Sequence, residues 1–229
     1  MTTTDIASAD ALRELFASRY SCRGFLPDPV PVEIVQQILE MAQRSASWSN
    51  TQPWHTTVLA GDETKRFSEH LLAAAIAEQG TSDLPPPGRY EGEFQARRRA
   101  SGFALYDSLN IAYDDINARK NQMLENYRLF GAPHVAIISS EASVGPYGYI
   151  DTGAYLTGFL LAATSLGVAT IAQAAIGMHA NVVHEFLGIP ESQHVVCGVS
   201  FGYADVNHPA NAFRTERAPL HEVADLRGF

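Results

Sequence analysis

Residues 151–166 read DTGAYLTGFLLAATSL. Ala154, Leu156, Gly158, Phe159, Leu160, Leu161, Ala162 and Ala163 leave no polar stripe, so the segment predicts a helix that is covered on every side. In a chain of 229 residues a subunit interface is the natural cover. The flanks fit this reading. HVAIISSE (134–141) predicts a strand before the helix. GVATIAQAAIG (167–177) follows it as a short, apolar, Gly-flanked segment. NVVHEFLGIP (181–190) predicts a small helix stopped by Gly188 and Pro190. HVVCGVSFGYAD (194–205) predicts a second strand, and a polar arm runs from Val206 to Phe229.

Toward the N-terminus, Asp10 is a candidate N-cap for a short helix reaching Ser18. A second helix starts after FLPDPVPVE, with Pro31 in its first turn. Val35, Ile38, Leu39 and Ala42 give it one apolar face, and it ends near Gln43 to Ser45. HTTVLAG (55–61) is short, β-branched and closed by Gly61, a strand. Glu63 to Gln79 is helical, TSDLPPPGRY breaks the chain, and Glu91 to Tyr127 is mostly helical. No repeat and no linker divides the sequence. One α+β domain over 1–229 is the simplest architecture, a few strands with helices around them.

The formal net charge of −9 argues against nucleic acid and anionic membranes as partners. No run approaches the ~18 apolar residues of a membrane span. MTTTDIASADALRELF carries Asp5, Asp10 and Arg13, unlike a signal peptide. Cys22 and Cys197, far apart, read as reduced thiols of a cytoplasmic protein.

Four stretches carry candidate chemistry. Arg19-Tyr20-Ser21-Cys22-Arg23 offers two forked guanidiniums and a hydroxyl, which suit a phosphate; a solvated basic turn has the same composition. SWSNTQPWH (47–55) holds both tryptophans beside Asn50 and Gln52. Rings beside amides suit a planar, heteroatom-rich ligand, or else the tryptophans anchor the core and the amides satisfy loop backbone. FRTERAPL (213–220) brings a second arginine pair, Arg214 and Arg217, for the same anion or as a charged tail. Gly198-Val199-Ser200-Phe201-Gly202 matches the G-x-S-x-G elbow but lies inside an apolar strand with 29 residues after it, so a plain strand is expected. The eight histidines are scattered without metal-ligand spacing, and G-x-G-x-x-G is absent.

Taken in order, RYSCR, a helix, AQRSASWSNTQPWH ahead of a strand, GAPHVAII, the apolar helix, IAQAAI, LGIPESQHVVCGVSFGYAD and RTERAPL resemble the FMN-dependent nitroreductase family over nearly the whole chain. The SWSNTQPW form, the aromatic middle region and the arginine tail look most like the branch that reduces nitrobenzoates and dinitroanilines. The resemblance implies an α+β sandwich, a mixed and mostly antiparallel sheet flanked by helices, in an intertwined homodimer with two FMN at the interface. It implies that Arg19, Tyr20, Ser21 and Arg23 hold the phosphate and ribityl chain, joined by Arg217 and Arg214. It implies that Ser47, Trp48, Ser49, Asn50 and Gln52 reach the flavin across the dimer. Gln173, Ala174 and Ala175 match the segment whose backbone amides face the isoalloxazine ring. Glu-Gly stands there in better-known bacterial enzymes, so Gln-Ala implies a lost charge near the flavin.

The mechanism implied is ping-pong: NADH or NADPH reduces the flavin, then a small nitroaromatic takes two electrons at a time, to nitroso and then to hydroxylamine. No catalytic side chain is needed, since the flavin carries the chemistry. A shallow aromatic pocket is expected from Trp48, Phe94, Phe103, Tyr106 and Tyr113, with Tyr90 nearby; at least half of the middle-region aromatics are expected in the core. Quinone or enone reduction, or a non-catalytic flavin-binding dimer, are the alternatives.

Overall fold

The computed structural model describes residues 3–229, with side chains from residue 8 onward. Strands β1 (Trp54–Ala60), β2 (His134–Glu141), β3 (Ala169–Gln173) and β4 (Gln193–Gly202) form one sheet in the order β1-β2-β4-β3. All three ladders are antiparallel. The one parallel contact among the described residues is the isolated bridge Ser21–Thr170 on the β3 edge.

Both sheet faces are covered. On one, α2 (Val32–Ala42) and α6 (Pro146–Ser165) bury Ile38, Ala42, Tyr155 and Phe159 against Ala136, Ile138, Val199 and Phe201. On the other, α3 (Gly61–Ile76), α7 (Ala174–Gly177) and α8 (Ala180–Leu187) bury Phe67, Leu71, Ile176 and Val183 against Val135 and Ile137. Successive β2 residues thus serve opposite cores, as strand period requires. The register slips between Ile138 and Ser139, where β4 carries Val196 as an extra residue. Gly198 lacks the Cβ that would meet Ile176 Cδ1 at 2.3 Å, so the glycines of GVSFG serve packing. Ser200 is fully buried, which rules out a nucleophile elbow.

The remaining helices are α1 (Thr3–Ser18), α4 (Gly92–Ser108), α5 (Ile116–Leu124) and α9 (Leu220–Val223). No helix among the described residues is long and apolar enough to cross a membrane. Helix α1 starts well before the expected cap; Asp10 lies inside it, 2.6 Å from Arg13 Nη1. Helix α6 begins at Pro146, not Asp151, because Gly145 takes φ 65° just before a proline at its first position. One side of α6 is core. The other carries Tyr147, Ile150, Ala154 and Thr157, all exposed at helical spacing. The all-round apolar helix therefore lacks half its cover within one protomer.

The segment before α4 is tied down by Asp83. Its Oδ2 accepts from the Val195 amide at 2.7 Å and lies 2.8 Å from His184 Nε2. Burial pulls the His184 pKa down, but the Ile189 carbonyl, the Asp83 hydrogen bond and charge, and Glu191 together lift it above its ordinary value. The stabilisation is therefore complete below about pH 6.5, the unfolded value, and fades as pH rises through the folded one. We expect the urea-midpoint difference between the parent and Asp83→Asn to shrink from pH 6 to pH 8. A constant difference would show that only the Val195 bond matters.

Candidate active site

The two arginine pairs, almost two hundred residues apart, meet in one cavity of about 330 Å³. Arg19, Tyr20, Ser21 and Arg23 line it from one side, and Phe213, Arg214, Thr215 and Arg217 from the other. The first turn is fixed to the β3 edge by Cys22 N–H donating to the Thr170 carbonyl at 3.0 Å. The second is held by Asn211, which is 6% exposed. Its Oδ1 accepts from the Arg23 amide at 2.7 Å, and its Nδ2 donates to the Gly24 and Asp205 carbonyls at 2.8 and 2.9 Å. Two cation–π contacts finish the strap: Arg214 lies 3.7 Å over the Tyr20 ring and Arg23 5.6 Å from that of Phe213. Sequence reasoning missed Asn211 and Phe213, because nothing in a polar arm marks one amide as a clamp.

Among the described residues no carboxylate lies within 4.0 Å of Arg19, Arg23, Arg214 or Arg217. Desolvation first, and then the charge of Arg217, lower the Arg19 pKa; burial lowers that of Arg23. Four guanidiniums gathered without counter-charge, beside the hydroxyls of Ser21 and Thr215, form a receptor for a phosphate-like dianion.

The tryptophan loop lies elsewhere. Trp54 is core, 8% exposed and stacked on Tyr155 at 5.0 Å. Its Nε1 donates to Gln43 Oε1 at 2.9 Å, while Gln43 Nε2 donates to Gln52 at 2.7 Å. Trp48 is 58% exposed and meets Tyr147 of α6 edge-on at 4.3 Å. Its amide donates to Asp151 Oδ2 at 3.0 Å, and Ser47 Oγ accepts from the Gln52 amide at 3.0 Å. Ser49, Asn50 and Gln52 all adopt positive φ, 51°, 58° and 47°. Each such residue costs on the order of 1 kcal/mol, and this bonding pattern holds them there. None of residues 47–52 lines the arginine cavity.

Gln173 is 2% exposed and turned inward. Its Nε2 donates to the Asn126 carbonyl at 2.7 Å, and its Oε1 accepts from Ser200. Its side chain therefore holds β3 to β4 and to the end of α5, and an acidic group here would face the core. Ala174 is exposed and Ala175 half-buried at the start of α7.

Within one protomer the middle-region aromatics from Tyr90 to Tyr113 are not core, although Tyr127 is. No residue of α4 is buried; Phe94 is 68% and Tyr113 67% exposed. The expectation that half of them are core is overturned, because α4 has no sheet or helix face to pack on. Phe103, Tyr106 and Tyr113 do converge, with Phe103 and Tyr113 rings 5.4 Å apart, in a cavity next to the arginines. Phe94 and Trp48 do not line it. Among the described residues no cluster of metal-ligating side chains occurs. Burial pushes the Cys197 thiol up to about 12, which leaves it unreactive.

Residues 16–203 match the profile of the Nitroreductase family. The chain belongs to that family. It is 37% identical over 222 residues to Nitroreductase NfnB of Mycolicibacterium smegmatis, across 96% of this chain and 94% of that protein. It is 32% identical over 220 residues to a 4-nitrobenzoate reductase of Nocardioides sp. (strain LMS-CY), across 94% and 89%. The crystal structure of the FMN-dependent nitroreductase NfnB from Mycobacterium smegmatis in complex with NADPH superposes with a TM-score of 0.91 at 36% identity, covering 95% of this chain and 98% of that one.

Proposed function

We propose that the chain is an FMN-dependent NAD(P)H nitroreductase, one domain acting as a homodimer in a reducing cytoplasm. The observation that carries this is the cavity of four unpaired arginines, present in a chain whose relatives are named for FMN, NADPH and nitroaromatic reduction. The donor set fits the group: a phosphate monoester offers about two negative charges and three acceptor oxygens. FMN bound there would supply two-electron transfer from the nicotinamide to a nitro group, giving nitroso with one reduced nicotinamide and hydroxylamine with a second.

The protein's own tasks follow from its geometry. Arg19, Arg23, Arg214 and Arg217 neutralise the phosphate, with Ser21 and Thr215 as further donors. Asn211 keeps the two arginine segments in register before any ligand arrives, so little ordering entropy is lost on binding. Ser47, Trp48, Ser49, Asn50 and Gln52 stand apart from their own protomer's cavity, on the α6 face that needs cover. Pairing α6 faces brings this loop to the second copy's site. The backbone at Gln173, Ala174 and Ala175 lies one strand-length along β3 from the Ser21–Thr170 bridge.

The test is the visible spectrum of the purified protein. A yellow protein that bleaches with NADPH or NADH under anaerobic conditions and recovers with 4-nitrobenzoate establishes both half-reactions. Parallel lines in initial-rate plots confirm the alternating scheme. Faster recovery with a quinone or an enone assigns the natural acceptor there, and no recovery with any acceptor leaves a flavin-binding dimer. A colourless protein that takes up no FMN overturns the proposal.

A further inference from the structure

Arg23 and Ser101 line the arginine cavity and also a second one, of about 340 Å³, between α4 and α5. The second cavity adds Arg98, Arg99 and Arg119. Among the described residues none of these three has a carboxylate within 4.0 Å. Arg119 is the most constrained. Its guanidinium lies 5.0 Å from the Tyr106 ring and 5.3 Å from that of Tyr113. Its Nη1 donates to the Tyr113 carbonyl at 2.9 Å, and its Nε is buried with no hydrogen-bond partner. A buried, unpartnered donor on a cation is costly and calls for an acceptor.

Charge gives an independent argument. Seven arginines surround the two adjoining cavities in a chain of net charge −9. One phosphate monoester brings about two negative charges and leaves most of them uncompensated. Aromatic rings beside guanidiniums suit a planar ring that bears an oxyanion, since the ring stacks while the anion takes the forked donors.

We propose that the α4–α5 cavity is a second oxyanion site, taking a carboxylate or phosphate carried close to a planar ring, with Arg119 as its principal donor and Arg98 and Arg99 at its rim. The site rests on the nitroreductase reading only for the sources of that anion: an aromatic acceptor bearing a carboxylate, or the 2′-phosphate end of NADPH.

The experiment titrates FMN-loaded protein calorimetrically with two probe pairs, benzoate against benzamide and 2′-AMP against adenosine. The anionic member of at least one pair is expected to bind at least about tenfold more tightly, the effect of one charge-assisted hydrogen bond. Preference for benzoate identifies an acceptor carboxylate, and preference for 2′-AMP identifies the nucleotide. Arg119→Met should abolish that preference and Arg119→Lys should retain part of it, with FMN affinity of both within twofold of the parent. If Arg119→Met fails to fold, Arg99→Met, which alters an exposed side chain, should still reduce the preference severalfold. Equal binding of charged and neutral probes overturns the proposal. So does a loss in Arg119→Met that matches its loss of FMN, which would make the cavity part of the FMN site. If the protein takes up no FMN, the flavin reading alone fails, and the same titrations on the FMN-free protein still decide the cavity.

Discussion

Arg217→Gln should weaken FMN binding by about 10- to 100-fold while leaving the FMN-free protein at least as stable as the parent. The loss corresponds to one charge-assisted hydrogen bond, worth about 1.5–3 kcal/mol, where 1.4 kcal/mol is tenfold. The gain in the free protein has a different source. Arg217 is one of the causes that lower the Arg19 pKa, so the two guanidiniums repel when no anion lies between them. Among the described residues Arg217 bonds only to Thr215 and the Glu216 carbonyl, both local, so the strap does not depend on it. Flavin-fluorescence titration of the FMN-free protein gives the first quantity and thermal unfolding the second. Unchanged FMN affinity with a melting temperature several degrees lower would make Arg217 a structural residue and remove it from the phosphate site.

Ala154→Arg should turn the proposed homodimer into monomers and strip the flavin in the same step. Ala154 lies in the exposed stripe of α6, between Ile150 and Thr157. A guanidinium buried there without a partner costs several kcal/mol, on the order of a thousandfold in dimer dissociation. On the proposed reading Trp48 and Asn50 serve the second copy's cavity, so a monomer would offer only arginines and lose the flavin. Sedimentation at two wavelengths, protein and flavin, reads both effects, and circular dichroism confirms that the variant is folded. A parent that sediments as a monomer with its FMN bound would sink the dimer and the shared site together.

The sequence revealed what periodicity and spacing encode. The strand at HVAIISSE, the apolar face of Val35, Ile38 and Ala42, and the Gly188 stop of the small helix all lie where local rules put them. The start of α6 was misread because its first turn depends on Gly145 adopting positive φ, a tertiary choice no pattern announces. The two tryptophans look alike in the sequence and differ in the fold: Trp54 begins a strand beneath α6, while Trp48 sits on a 3₁₀ turn with its ring outside. The arginine pairs were legible as chemistry but not as neighbours, since their meeting is set by Asn211 and by the β3 edge. Gln173 was legible as a position in a family segment, and the direction of its side chain was not. The aromatic middle region was the least legible, because its residues follow no core and so show no period.

That last feature bears on how the protein changes over time. Helix α4 carries Arg98, Arg99, Phe103 and Tyr106 of the second cavity yet buries none of its own residues. Replacing a core residue such as Phe159 with alanine costs about 3–5 kcal/mol, a large part of a domain's whole stability. Replacing an exposed residue of α4 usually costs less than about 0.5 kcal/mol. The part of the molecule proposed to meet the acceptor is thus almost free of the stability threshold that restrains the rest. New acceptors can be explored one substitution at a time on α4 while the sheet and its flavin platform stay intact, and a library confined to residues 94–108 should return mostly folded, yellow proteins.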